Sequence, residues 1–209
     1  MGQAQKILTV TLWGVLVLVM VAVIGAGAWD RWRKPAEELP ILYDAPPFAL
    51  TDQDAKPFTD KQLAGHVWVA DFIYTHCAGP CPLMTAEMAK LQKAIGDPGI
   101  RFTSFSVDPI HDTPGVLKDY AATFGAKEPR WTFLTSANPA DIYTVANGMK
   151  LSAVPADAEN PPIHAQQFLL IDPDRRVRGI YHIQDPDSMR KLARDAQSLA
   201  EESLTGKAR

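Results

Sequence analysis

The chain has 209 residues, 46% hydrophobic and 22% charged, with a formal net charge of -3, which suits one globular domain with an appendage and excludes two full domains. The near-neutral balance, with no basic stripe interleaved with aromatics, argues against a nucleic-acid binder. There are only two cysteines, and they lie four positions apart, so any thiol chemistry is confined to one short segment.

The appendage comes first. Ile7 to Trp29 contains no charged residue and exceeds the roughly 20 residues that a helix needs to cross a hydrocarbon core. It reads as a retained membrane anchor. A cleaved signal peptide competes, because Ala26-Gly27-Ala28 resembles a small-residue cleavage site, but the apolar stretch is longer than the usual h-region of about 7–15 residues. Either version puts the following domain outside the cytoplasm, on the periplasmic side of a bacterial inner membrane, if the N-terminus stays inside. Arg31, Arg33 and Lys34 after the stretch outnumber Lys6 before it and oppose that orientation, although long domains translocate despite local charge. The expected organisation is an anchor at 1–29, a proline-bearing linker at 30–46, a globular domain at 47–204 and a tail at 205–209.

Within the domain, Phe48-Ala49-Leu50-Thr51 and Lys56-Pro57-Phe58-Thr59 flank Asp52-Gln53-Asp54 as a short hairpin. Val67 to Ile73 is an apolar strand. A helix opening at Leu83 runs to about Ile95 and stops at Gly96-Asp97-Pro98-Gly99. Ile100 to Val107 alternates with period two as a strand. Thr113 caps a helix with Pro114 at its first position and Gly125 at its end. Trp131 to Thr135 is a strand and Asp141 to Met149 a short helix. Gln167–Ile171 and Val177–Tyr181 form a hairpin across Asp172-Pro173-Asp174-Arg175-Arg176, and a last helix runs from about Asp187 to Leu204. This alternation predicts an α/β fold with a sheet covered by helices on both faces.

Cys77 and Cys81 fall between the first long strand and its helix, in Tyr74-Thr75-His76-Cys77-Ala78-Gly79-Pro80-Cys81-Pro82. That is where a thioredoxin-like fold keeps its chemistry. A helix N-terminus stabilises a thiolate, the form that attacks disulfides and binds soft metals. A purely structural disulfide is a weaker reading, because so short a loop contributes little unfolded-state entropy. Structural zinc fits poorly without a second cysteine pair. Three intervening residues still allow a disulfide, and they also allow two thiolates to embrace one ion. Copper(I) prefers soft thiolates, and one added imidazole would let the site hold copper(II). Of the five histidines, His66, His76, His111, His164 and His182, the best candidate is His164, which Pro161-Pro162-Ile163 leads toward the strand at Gln167. His76 ranks lower because adjacent side chains on extended backbone point oppositely. Met84 and Met88 sit one helical turn apart and read as core rather than as a metal relay.

Three blocks carry a family resemblance: Tyr74-Thr75-His76-Cys77-Ala78-Gly79-Pro80-Cys81-Pro82, then Ser106-Val107-Asp108-Pro109-Ile110-His111-Asp112-Thr113-Pro114, then His164 before Phe168-Leu169-Leu170-Ile171-Asp172-Pro173-Asp174. In this order, over roughly residues 45–200, the chain resembles the Sco/SenC proteins, membrane-anchored thioredoxin-fold proteins that carry copper toward the binuclear copper centre of cytochrome c oxidase. The resemblance implies Cys77, Cys81 and His164 as copper ligands, Cys77 and Cys81 as a redox pair, copper as Cu(I) or Cu(II), and an oxidase copper-binding subunit or another copper protein as partner. It also gives Asp108 a supporting role near the metal loop; the alternative is an aspartate capping the helix at Thr113. The chain departs from the pattern at Ile163, where an acidic residue is usual, at Arg175, where a hairpin glycine is common, and at His111, where an arginine is common.

Two functions follow from different classes. A metallochaperone needs both cysteines and His164. A thiol-disulfide oxidoreductase that reduces a partner's cysteines before metal insertion, and is itself re-reduced by a thiol partner, needs the cysteines alone. A thiol peroxidase fits less well, since Thr75 lies only two residues before Cys77, and a membrane scaffold without chemistry leaves the cysteine placement unexplained.

Overall fold

The computed structural model describes residues 2, 12–23, 38–77, 79–96, 99–151, 153–154 and 163–205. The chain divides into two compact units, Met1–Glu38 and Leu39–Arg209. In the first, residues 12–23 form an apolar helix, α1. Among the described residues no helix is long and apolar enough to cross a membrane. Both ends of the expected anchor, residues 7–11 and 24–29, lie outside the described residues, as do Arg31, Arg33 and Lys34.

Among its described residues the second unit has ten strands: β1 (Tyr43–Asp44), β2 (Ala49–Asp52), β3 (Pro57–Thr59), β4 (Val67–Ile73), β5 (Ile100–Ser106), β6 (Trp131–Thr135), β7 (Ala153–Val154), β8 (Ile163–His164), β9 (Gln167–Ile171) and β10 (Arg176–His182). Its helices are α2 (Pro80–Ile95), α3 (Pro114–Thr123), α4 (Pro139–Gly148) and α5 (Pro186–Leu204), with a 3-10 turn at Asp60–Leu63. Eight strands form one mixed sheet in the order β1-β10-β9-β4-β5-β6-β2-β3, and β7 pairs with β8 apart from it. β4 runs parallel to β5 and antiparallel to β9.

Every residue of β4 is buried, as befits a central strand with both faces covered. Val67, Val69 and Ile73 join Phe102 and Leu170 under Met84, Met88 and Leu91 of α2 and Leu192, Ala196 and Leu199 of α5. The alternate residues Trp68, Ala70 and Phe72 join Phe105, Leu134 and Leu169 under Ile142, Val145 and Ala146 of α4. Full burial of each such large side chain contributes about 1.5–3 kcal/mol. Met84 and Met88 are completely buried and therefore serve as core.

The expected hairpin around Asp52–Asp54 forms, with Leu50 opposite Phe58. The second hairpin forms as well, with Ile180 opposite Leu169. Helix α2 differs from expectation by starting at Pro80 rather than Leu83. Proline suits a helix's first position, where its fixed φ matches and its missing N–H has no intrahelical partner anyway. The helix ends as expected at Gly96, whose φ of 66° makes it a left-handed cap. Arg175 also holds a left-handed φ, 65°. Its guanidinium pairs with Asp60 at 2.7 Å, and Asp172 accepts from the Asp174 and Arg176 amides to close the turn. Strands β1, β7 and β8 have two residues each, too short to show a periodicity in sequence.

Candidate metal and redox site

The chain leaves β4 at the carboxyl end of a parallel strand pair, the end of an open α/β sheet where ligands bind. Tyr74, Thr75 and His76 follow, and α2 begins with Gly79 as its N-cap. Helix starts leave backbone N–H groups without intrahelical partners. Here Pro80 and Pro82 have none to offer, so the Cys81 amide and the neighbouring Gly79 amide are the donors in place. The Gly79 amide donates to Cys77 Sγ at 3.4 Å, and the Cys81 amide and the Cys81 thiol also serve Cys77.

Cys77 and Cys81 are free thiols, 7% and 0% exposed. Burial pushes Cys77 upward, but hydrogen bonds from the Cys81 thiol and amide, the Tyr74 hydroxyl and the Gly79 amide outweigh it and hold Cys77 below the usual thiol value. Cys81 moves the opposite way: burial, then the hydrogen bond it gives to Cys77, keep its proton on. Tyr74 is pushed up to about 12 by burial and by its bond to Cys77. The arrangement is one slightly exposed sulfur whose thiolate form is favoured over that of a free thiol and one fully buried sulfur that holds its proton more tightly. The helix turn bearing Cys81 is fixed by Thr85, whose hydroxyl donates to the Cys81 carbonyl at 3.0 Å and contacts the Tyr120 hydroxyl of α3 at 3.0 Å.

The loop after β5 braces the cysteine loop from the side. Asp112, fully buried, accepts from the Thr75 amide at 3.0 Å, from the Thr75 hydroxyl and from Ser106 Oγ at 2.6 Å. Asp108 does not cap α3 with its side chain. Its carboxylate holds His111 Nδ1 at 2.8 Å, and Thr113 occupies the N-cap position. His76 and His111 lie on the same rim, with ring centres 6.0 Å apart.

His164 does not belong to the strand that starts at Gln167. It lies in the short strand β8, opposite Ala153 of β7, and Pro161 and Pro162, expected to stiffen its approach, lie outside the described residues. Among the described residues no group of three or more His, Cys, Asp or Glu side chains is placed to hold a metal; the side chain of His164 is not among those described. His66 binds the Gly99 carbonyl at 3.1 Å, and His182 lies beside Gln167; neither approaches the cysteine loop through any bond seen here. Asp112 and Tyr74 are site residues that their sequence context does not single out. Asp71, whose charge adds to the upward push on Cys81, is a third, a carboxyl in the otherwise apolar strand β4, and that lone charge in a buried run is a signal that could have flagged it.

The profile of the SCO1/SenC family matches residues 42–201. The SCO1 protein homolog of Bacillus subtilis is 38% identical over 146 residues, covering 68% of this chain and 76% of that protein. Among solved structures, Bradyrhizobium japonicum ScoI with copper bound matches with a TM-score of 0.63 and 30% identity over 75% of this chain and 99% of that one. BsSco, a member of the Sco family of cytochrome c oxidase assembly proteins in which a disulfide switch was identified, matches with a TM-score of 0.70 and 34% identity over 79% of this chain and 98% of that one.

Proposed function

The chain belongs to the SCO1/SenC family, and from that premise we propose that it is a copper metallochaperone in which Cys77, Cys81 and His164 hold one copper ion as cargo for the copper centre of cytochrome c oxidase or another copper protein. The observation that carries this reading is the pair of free thiols at the start of α2, with the Cys81 thiol donating to Cys77. Two thiols are the soft donor set that copper(I) selects, and an imidazole beside them suits copper(II) as well. The copper found in ScoI and the place of BsSco in oxidase assembly support the cargo and the recipient. Metal loading requires both thiols to deprotonate. Cys77 is already biased that way by its four donors, whereas Cys81, raised by burial and by its bond to Cys77, gives up its proton less readily.

The apolar helix α1 and the uncharged run around it support a membrane anchor across residues 7–29, with the linker at 30–46 and the domain at 47–204 facing the extracytoplasmic side.

The test is anaerobic copper titration of the reduced full chain in detergent, comparing wild type with His164→Ala. The expected result is one equivalent bound by the wild type, with a sulfur-to-copper(II) charge-transfer band that is lost or strongly shifted in the variant. An identical band and affinity in His164→Ala overturns the three-ligand site.

The contrast between the two sulfurs favours a second reading, thiol-disulfide exchange. The Cys77 thiolate would attack a partner disulfide and release one partner thiol. Cys81, its proton passed to the partner sulfur released first, would then displace the second, leaving a Cys77–Cys81 disulfide and a reduced partner. This reaction needs no His164, so full activity of His164→Ala in reducing a partner, together with weak copper binding by the wild type, would favour it.

A further inference from the structure

We propose that His76 and His111 form a second, outer metal site on the rim of the cysteine loop, one that takes a divalent transition ion, best Cu(II), through their two Nε2 atoms. Each ring is fixed through its other nitrogen. His111 Nδ1 lies 2.9 and 2.8 Å from the two oxygens of Asp108, and an ionised carboxylate only accepts, so Nδ1 carries the proton and Nε2 the lone pair in the neutral ring. His76 Nδ1 lies 3.1 Å from Thr75 Oγ1. That hydroxyl gives its own hydrogen to Asp112, so here too Nδ1 is the donor and Nε2 the open base. A ring held by a carboxylate, directly or through one hydroxyl, with its far nitrogen free to bind is the arrangement that orients metal-ligating histidines.

The spacing agrees. With a metal–nitrogen bond of about 2.0 Å each ring centre sits about 3 Å from the ion, so two rings sharing one ion have centres from about 4 Å apart at a right angle to about 6 Å apart in line. The observed separation is 6.0 Å. Both side chains are open to solvent, His76 at 69% and His111 at 63%, so small rotations can complete the approach and water can fill the remaining positions. Asp108 and Asp112 add negative charge behind the rings without occupying the Nε2 positions. Imidazole nitrogen suits copper, zinc and nickel, and Cu(II) stands highest among the divalent ions in affinity.

His76 adjoins Cys77 in the chain, so an ion held there stands at the entrance to the thiols. Its role as a landing point for cargo rests on the chaperone reading, whereas the site itself does not.

The experiment separates the two. The full chain carrying Cys77→Ser, Cys81→Ser and His164→Ala lacks the proposed inner ligands. Titrated with Cu(II) and followed by electron paramagnetic resonance, it should bind one equivalent more than the same chain carrying also His76→Gln and His111→Gln, with nitrogen hyperfine structure in the difference spectrum. Equal stoichiometry and spectra in the two backgrounds would overturn the outer site, whatever the wild type binds at its cysteines. In the otherwise wild-type chain, His76→Gln with His111→Gln should slow the appearance of the thiolate-to-copper band at least about tenfold while leaving its final amplitude unchanged. An unchanged rate would overturn the landing role. Circular dichroism and melting curves should match between each chain and the same chain carrying His76→Gln and His111→Gln, since both imidazoles are exposed.

Discussion

Thr75 and Asp112, 37 residues apart, are joined twice: the Thr75 amide and the Thr75 hydroxyl both donate to the same buried carboxylate. This double bond ties the segment that carries Cys77 to the loop after β5. The position of one sulfur therefore depends on a carboxylate that binds the chain two residues before it.

Removing that brace should be costly. Asp112→Ala leaves the Thr75 amide and the Ser106 hydroxyl without their acceptor, and hydrogen bonds to a charged group contribute about 1.5–3 kcal/mol net. We expect a loss of about 2–4 kcal/mol, read as a fall of roughly 5–15 °C in melting temperature for a domain of this size. A melting temperature within a degree or two of wild type would show that the loop holds itself.

The two cysteines should react unequally in the reduced, metal-free protein. Cys77 is held below the usual thiol value and is slightly exposed, while Cys81 is raised and fully buried. Alkylation with iodoacetamide near neutral pH, read by peptide mass spectrometry, should label Cys77 about tenfold faster or more. Comparable rates would remove the distinction between an attacking and a resolving sulfur.

Asp71 gives a pH dependence. Its carboxyl is wholly buried, and burial raises it from 3.8 to about 7, while Ser104, opposite it on β5, offsets part of that push without a hydrogen bond of normal geometry. The unfolded chain loses this proton first. The folded protein therefore binds more protons between about pH 4 and 7, and the stability associated with this group falls as pH rises through that window. Asp71→Asn removes the titration. Its melting temperature relative to wild type should rise between pH 4 and pH 8, and a difference independent of pH would contradict the assignment.

Asp108 positions His111 rather than a helix end. Asp108→Asn can still accept a bond from Nδ1 but loses the charge that holds it. Changes to such outer partners reduce metal affinity about 10–100-fold. In the chain lacking Cys77, Cys81 and His164, we expect Asp108→Asn to weaken Cu(II) binding within that range. An unchanged affinity would mean that the ring is oriented by something else.

Long elements were legible because burial imposes a pattern on them. Val67 to Ile73 is apolar at every position but Asp71 because β4 is covered on both faces, and Leu192, Ala196 and Leu199 of α5 recur at helical spacing because one face meets the sheet. The first turn of α2 was less legible, since Pro80 and Pro82 read as loop residues until the helix is seen to use them where an N–H is dispensable. Strand β8 was invisible, because two residues carry no period, and so His164 was expected to lead straight into β9.

The sequence by itself determined the fold class, the family and the isolation of the two cysteines between a strand and a helix, because these follow from local hydrophobic pattern and motif order along the chain. Tertiary structure alone decided that Cys77 and Cys81 differ, that Asp112 braces Thr75, and that His76 faces His111. Those facts depend on burial and on hydrogen bonds between segments tens of residues apart, and chain order does not encode such distances until the sheet brings the segments together.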